Sequence, residues 1–266
     1  MGQVKNIVLE NIADYHSIIV PDAGDQNRYA HWHELLAQAE QQGKYVVVCN
    51  GPYIFERAHF LHGFENTLMD CMLEPDLMAK FLRYLAEYHF KTIAYIKQHF
   101  NGRIHGYRGT DDWGTQLAPL LSPEVFRKIF KPVYQEIFAA IHDAGMGAWM
   151  HSCGKILPLL DDFIEMELDV INIMQPNVFP IPALKEFRGR ICFEVCADAQ
   201  NTLLTTPDDL RKEIGLLIEN CCAENGGLIE VKLDRMYFEG DGVAPEYGSI
   251  CHEEYRKRDP FIKLMA

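Results

Sequence analysis

Met146-Gly147-Ala148-Trp149-Met150-His151-Ser152-Cys153-Gly154 is the stretch whose reading decides the fold. Its apolar run has strand character, and the glycine marks where the strand gives way to a loop. Residues i and i+2 of a strand point to the same side, so His151 and Cys153 can aim at one point. An imidazole and a thiolate placed that way make an economical start for a zinc site. The same stretch asks whether other chemically distinctive residues also fall just after strands.

They do. Tyr45–Asn50 reads as a strand stopped by Gly51-Pro52, and Asn50 closes it. Pro75 sits at a favoured first-turn position and opens a long helix whose apolar residues recur at helical steps until Asn101-Gly102. Arg103–Tyr107 is a second short strand leading into Gly109-Thr-Asp-Asp-Trp-Gly114. Ser122-Pro123-Glu124 caps a helix running towards Gly145, with Pro132 as a kink or break inside it. Lys155–Glu167 reads as helix, Asp169–Met174 as strand and Ile191–Cys196 as strand. Thr206-Pro207 caps a further helix, and Leu228–Leu233 is the last clear strand. The strand ends therefore carry Asn50, Asp111 and Asp112, His151 and Cys153, Gln175, Cys196 and Asp198, and Asp234.

Short apolar strands alternating with helices imply a parallel sheet covered by helices. Site residues at strand C-termini suit a (β/α)8 TIM-type barrel. They also suit a doubly wound sheet, but no Gly-x-Gly-x-x-Gly turn follows a strand, which favours the barrel. Six strands are clear rather than eight. Segment 5–20 is a poorly patterned candidate for a seventh, so the barrel reads as incomplete at the N-terminus. The expected organisation is one barrel domain over 1–266, with residues 1–20 as an arm and 246–266 as a charged tail.

Composition narrows the function. The 266 residues carry a formal charge of −13 and are 48% hydrophobic. That acidity argues against broad nucleic-acid binding, because phosphate requires a basic face. No apolar run approaches the ~20 residues of a membrane span, and the N-terminus lacks a signal peptide's apolar stretch. The expectation is a soluble, cytoplasmic protein whose eight cysteines are reduced thiols rather than disulfides. Of the adjacent Asp111 and Asp112, one faces a pocket and the other caps a loop or helix, and Asp112 is the better candidate for the pocket. Phe55, Phe60 and Phe64 line a pocket for an aromatic ether or fill core.

Several of these motifs occur together in one order: Phe55-Glu-Arg-Ala, Gly63-Phe-Glu, Gly109-Thr-Asp-Asp-Trp-Gly-Thr-Gln, Leu121-Ser-Pro-Glu, His151-Ser-Cys-Gly, Leu168-Asp-Val-Ile-Asn, Gln175-Pro, Asp198-x-Gln200 and Thr206-Pro-Asp-Asp. In this the chain resembles the uroporphyrinogen decarboxylase superfamily over roughly residues 20–250, and most closely its branch of corrinoid-dependent methyltransferases and O-demethylases. The resemblance implies a TIM barrel. It also implies zinc that activates a thiol or an ether oxygen, while a methyl group passes between a small substrate and a partner corrinoid protein. His151 and Cys153 then stand as metal ligands. Asp234 occupies the place of the third ligand, where that branch has Cys and the decarboxylases have His, and Cys196 is a substitute. Asp112 and Asp198 stand as catalytic carboxylates, and Asn50, Phe55 and Gln175 as substrate contacts.

Two other readings stay open. A carboxy-lyase acting on a porphyrinogen needs cationic clamps, for which Arg57, Arg103 and Arg108 are at hand, although the first 30 residues hold one arginine, Arg28. A degenerate, non-catalytic paralogue would keep the scaffold alone. Oligomeric state is not fixed, with a homodimer one option.

Overall fold

The computed structural model describes residues 4–197, 206–231 and 247–258. Among them are six strands: β1 (Val47–Pro52), β2 (Gly106–Thr110), β3 (Gly147–His151), β4 (Val170–Ile173), β5 (Cys192–Val195) and β6 (Leu228–Glu230). They form one sheet in the order β1-β2-β3-β4-β5-β6. The pairs β1–β2, β4–β5 and β5–β6 are parallel. Parallel neighbours need a crossover. After α1 (Trp32–Gln41) and β1, the first crossover is α2 (Phe55–His62), α3 (Phe64–Leu73) and α4 (Pro75–Phe100). Next come α5 (Pro123–Val125) and α6 (Lys131–Asp143) before β3, and α7 (Leu160–Glu165) before β4. Two 3-10 segments, Pro176–Val178 and Ile181–Phe187, lead to β5, α8 (Pro207–Cys221) leads to β6, and α9 (Tyr247–Arg258) follows. This is the α/β, TIM-type arrangement expected. Among the described residues the two end strands of the sheet, β1 and β6, do not pair.

The local signals explain most boundaries. Pro75 occupies the first turn of α4, whose buried face carries Met78, Leu82, Leu85, His89, Ile93, Ile96 and Phe100 at helical spacing. Thr206 Oγ1 accepts from Asp209 N at 3.2 Å to cap α8. Ser122 Oγ caps α5 through Val125 N at 3.3 Å. The expected single helix from there to Gly145 is interrupted by one π-turn, Phe126–Phe130, before α6. Pro132 supplies the cause: it has no N–H to give the preceding turn and its ring crowds that turn's carbonyl, so the helix widens ahead of it.

Other segments differ from their sequence patterns. Residues 12–17, inside the candidate seventh strand, form a 3-10 helix capped by Asn11 Oδ1 on Ala13 N at 3.0 Å. The local Asx bond outcompetes extension there. β2 begins three residues later than its apolar pattern suggested, at Gly106. Helix over 155–167 shrinks to a 3-10 turn, Leu157–Leu159, and α7, because Pro158 cannot donate a helical bond. Residues 247–258, expected within a charged tail, form α9, which packs on α8 and buries Tyr247, Ile250, Cys251 and Glu254.

The described residues fall into two compact units. The first holds residues up to 112 together with 121–150 and 165–168; the second holds 113–120, 151–164 and the described residues from 169 onward. The first has an aromatic core in which Tyr53 meets Tyr134 and Phe138 edge-on. The second buries Ile171, Phe193 and Val195 of its strands, and Leu184, Ile214 and Leu217 of its helical segments. No helix among the described residues is long and apolar enough to cross a membrane.

Candidate metal centre

At the end of β3 the strand alternation works as the sequence suggested. Ser152 points away and is fully buried: its Oγ accepts from Trp113 N at 3.0 Å, and its own N–H donates to Asn172 O at 3.1 Å. His151 and Cys153, both half-buried, point together, with Cys153 Sγ 3.3 Å from His151 Nε2. Bond lengths of ~2.0–2.1 Å to nitrogen and ~2.3 Å to sulfur at a tetrahedral angle put the two donors of one zinc ion about 3.6 Å apart. The pair is thus within a few tenths of an ångström of the ligand spacing.

Asn172, buried in β4 at 1% exposure, decides which ring nitrogen faces the thiol. Its Nδ2 donates to Glu194 O at 3.1 Å, so its Oδ1 is turned to His151 Nδ1, 2.5 Å away, and has to accept. Nδ1 therefore carries the proton, and the Nε2 lone pair is aimed at Cys153. Fixing a ligand's tautomer by an outer partner is how protein metal sites hold an imidazole ready. Sequence reasoning quoted Asn172 within a motif and gave it no role. The available signal was an amide in the otherwise apolar run Val170-Ile-Asn-Ile173.

The loop carrying Cys153 is pinned against a second loop. Gly114 N donates to Cys153 O at 3.1 Å and Lys155 N to Thr115 O at 2.7 Å. The backbones approach so closely that a Cβ on Gly154 would lie 2.2 Å from the Gly114 carbonyl, and Gly154 has φ +79°. Both glycines are required by that crossing.

Asp112 immediately precedes Trp113, the residue held by Ser152. The Asp112 carboxylate lies near enough to His59 to pull its pKa up against the effect of burial. Its neighbour Asp111 turns the other way. Fully buried, Asp111 accepts from Ile54 N (2.9 Å), Phe55 N (3.1 Å) and Glu56 N (2.7 Å), and from the Tyr134 hydroxyl. It covers the orphan amides at the start of α2, where a carboxylate is favoured. Burial nevertheless pushes its carboxyl up to about 7, against the pull of the Tyr134 and backbone donors.

The other expected site residues are dispersed. Asn50 lines a cavity of 560 Å³ in the first unit, described below. Phe55 is fully buried, its ring edge-on to His59 and Phe130. Gln175 follows β4 and accepts from Gln116 Nε2 at 3.3 Å. Cys196 is buried at the end of β5 beside the Tyr247 hydroxyl at 3.6 Å, and burial raises its thiol to about 12. Asp198 and Asp234 lie outside the described residues. His59, which no sequence signal singled out, is 5% exposed with Nε2 unpartnered; burial lowers its pKa while the Asp112 carboxylate pulls it up.

Comparison with known proteins agrees with this architecture. A family model described as uroporphyrinogen decarboxylase (URO-D) matches residues 3–229. Among solved structures, a methyltransferase from Methanosarcina mazei superposes with a TM-score of 0.61 at 18% identity, over 86% of this chain and 63% of that one. The chain thus spans less than two thirds of that relative's length. The intracellular xylanase TsXylA from Thermoanaerobacterium saccharolyticum aligns at 11% identity over 76% of this chain and 69% of that one, with a TM-score of 0.46. A search of curated proteins finds no match. With the family model covering most of its length, the chain belongs to the uroporphyrinogen decarboxylase family.

Proposed function

We propose that the chain is a zinc-dependent methyltransferase of this family, moving a methyl group between a small methylated substrate, or a thiol acceptor, and a corrinoid protein. The observation that carries the reading is the His151–Cys153 pair, 3.3 Å apart with its tautomer set by Asn172. The donor set suits zinc, which prefers nitrogen and sulfur and accepts a carboxylate. His151 through Nε2 and Cys153 through Sγ would hold it, with Asp234 as the third ligand that the family resemblance implies. Three protein ligands leave one position for substrate, the pattern of catalytic rather than structural sites.

When bound, the ion would supply Lewis acidity, lowering the pKa of a substrate thiol or polarising an ether oxygen. The chain's own groups set the geometry around it. Asn172 keeps His151 from rotating and holds the proton on Nδ1, while Ser152 and the Gly114–Gly154 crossing fix the direction of Cys153. The structural relative is a methyltransferase by name, which supports the reaction class.

The test is methyl transfer by purified, zinc-loaded protein from a methylated corrinoid to a thiol, followed by the cobalt absorbance change. The expected result is turnover that chelation abolishes and zinc restores. Turnover of a porphyrinogen by metal-free protein would replace this reading with the carboxy-lyase one. Absence of both activities, with no bound metal, would leave a non-catalytic scaffold.

A further inference from the structure

The first unit contains a cavity of 560 Å³ at the end of β1, which the metal ligands do not line. Its volume is that of a small-molecule site. Two features of its lining are unusual in a chain carrying 38 acidic against 25 basic residues. Among the described residues no aspartate or glutamate lines it, and two arginines do, Arg28 and Arg57. Neither guanidinium has a carboxylate partner among the described residues, whereas Arg83, Arg103 and Arg190 each bind one.

The polar wall is fixed by a chain of hydrogen bonds whose direction can be read from its ends. His89 Nε2 faces the Tyr53 carbonyl at 3.1 Å and must donate, so its Nδ1 accepts from the Tyr107 hydroxyl at 2.8 Å. The Tyr107 oxygen then accepts from Asn50 Nδ2. Asn50 Oδ1 accepts from the Tyr88 hydroxyl at 3.3 Å, and the Tyr88 oxygen accepts from Arg28 Nη2. Arg28 also lies over the Tyr88 ring, 5.2 Å from its centroid. Every donor in this hydrogen-bond chain points away from Arg28, so the guanidinium is held in place while its remaining N–H groups have no partner among the described residues. Arg57 rises from the first turn of α2, its Nη2 close to Gly51, where β1 ends. Ile18, Leu61 and Leu85 supply the apolar side.

We propose that this cavity binds a small organic monocarboxylate, its head taken by Arg57 and Arg28 and its apolar body laid against Ile18, Leu61 and Leu85. Planar guanidinium groups match a carboxylate bidentately, and no acid among the described residues lines the cavity to compete. The inference stands on the cavity alone and does not depend on the methyl-transfer reading.

Cys49 is exposed and lines the same cavity, so its alkylation reports occupancy. The experiment measures iodoacetamide labelling of full-length protein by peptide mass spectrometry, with benzoate and hexanoate as probes. Benzamide serves as the neutral isostere and inorganic phosphate as the simple anion. The expected result is saturable slowing at Cys49, at least tenfold, by a carboxylate probe and by neither control, with Cys153 labelling unchanged. Arg57→Gln and Arg28→Gln should each raise the protecting concentration at least tenfold, with far-UV circular dichroism confirming that both variants fold. Protection by phosphate equal to that by the carboxylates, protection that survives both substitutions, or no protection by either carboxylate would overturn the proposal.

Discussion

Asn172→Val removes, in one substitution, both the acceptor for His151 Nδ1–H at 2.5 Å and the donor to Glu194 O at 3.1 Å. The site is 1% exposed, so water cannot take over either bond. A buried polar group left unmatched costs ~1–3 kcal/mol; two of them predict a loss of about 2–6 kcal/mol in stability. The imidazole would also be free to rotate or to carry its proton on Nε2, and loss of such an outer partner lowers metal affinity ~10–100-fold. Asn172→Asp separates the two effects. A carboxylate still accepts from Nδ1–H and makes the ring a better ligand, but it can no longer donate to the Glu194 carbonyl. The assay is competitive zinc titration against a chromophoric chelator, with chemical denaturation in parallel. The valine variant should lose both stability and zinc affinity, and the aspartate variant should lose stability by about 1–3 kcal/mol while keeping wild-type affinity or better. Equal affinity losses in both variants, or wild-type affinity in the valine variant, would refute the tautomer argument.

Gly154→Ala places a Cβ 2.2 Å from Gly114 backbone at a φ of +79°; the conformation alone costs ~1–2 kcal/mol, and the clash forces the Cys153 loop to move. Zinc affinity should fall in a variant whose far-UV circular dichroism is unchanged, and a variant with wild-type affinity would contradict the crossing's role. Asp111 supplies a pH prediction. Its pKa rises on folding to about 7, so its contribution to stability is full below the unfolded value near 4 and is lost as pH rises to about 7. His89 runs the other way: burial lowers it to about 4, so its contribution is full above its unfolded value and lost as pH falls from about 6.5 to 4. The two slopes largely cancel in the wild type. In Asp111→Asn, the stability difference from wild type should shift in the variant's favour between pH 4 and 7, by on the order of 4 kcal/mol; a difference that stays constant over that range would show that Asp111 is not held protonated by folding.

The alternation of strands and helices was legible because most of the strands are short and apolar and lie between segments of helical period. The pairing of His151 with Cys153 was legible for the same reason, since strand period alone puts both side chains on one side. Asn172 was not, because its role comes from β4 and β5 together: a single strand's sequence does not reveal which neighbour's carbonyl its amide will meet. The third ligand, Asp234, rests on motif position alone and lies outside the described residues. The cavity was half visible: Asn50 was singled out and Arg57 was named as a cationic clamp, but Arg28 and Arg57 are brought together by a 3-10 turn and a helix start that carry no shared sequence pattern. The 3-10 helix at residues 12–17 and the π-turn before Pro132 show local bonds and proline sterics overriding apolar periodicity.

The measurement that bears most directly on the central claim is metal content and cobalt(II) absorption of the purified protein. The account predicts about one zinc per chain and, after cobalt exchange, a thiolate-to-cobalt charge-transfer band that disappears in Cys153→Ala. His151→Ala should weaken binding while leaving that band detectable at saturating cobalt. A protein that binds no zinc, or a band that survives Cys153→Ala, would contradict it.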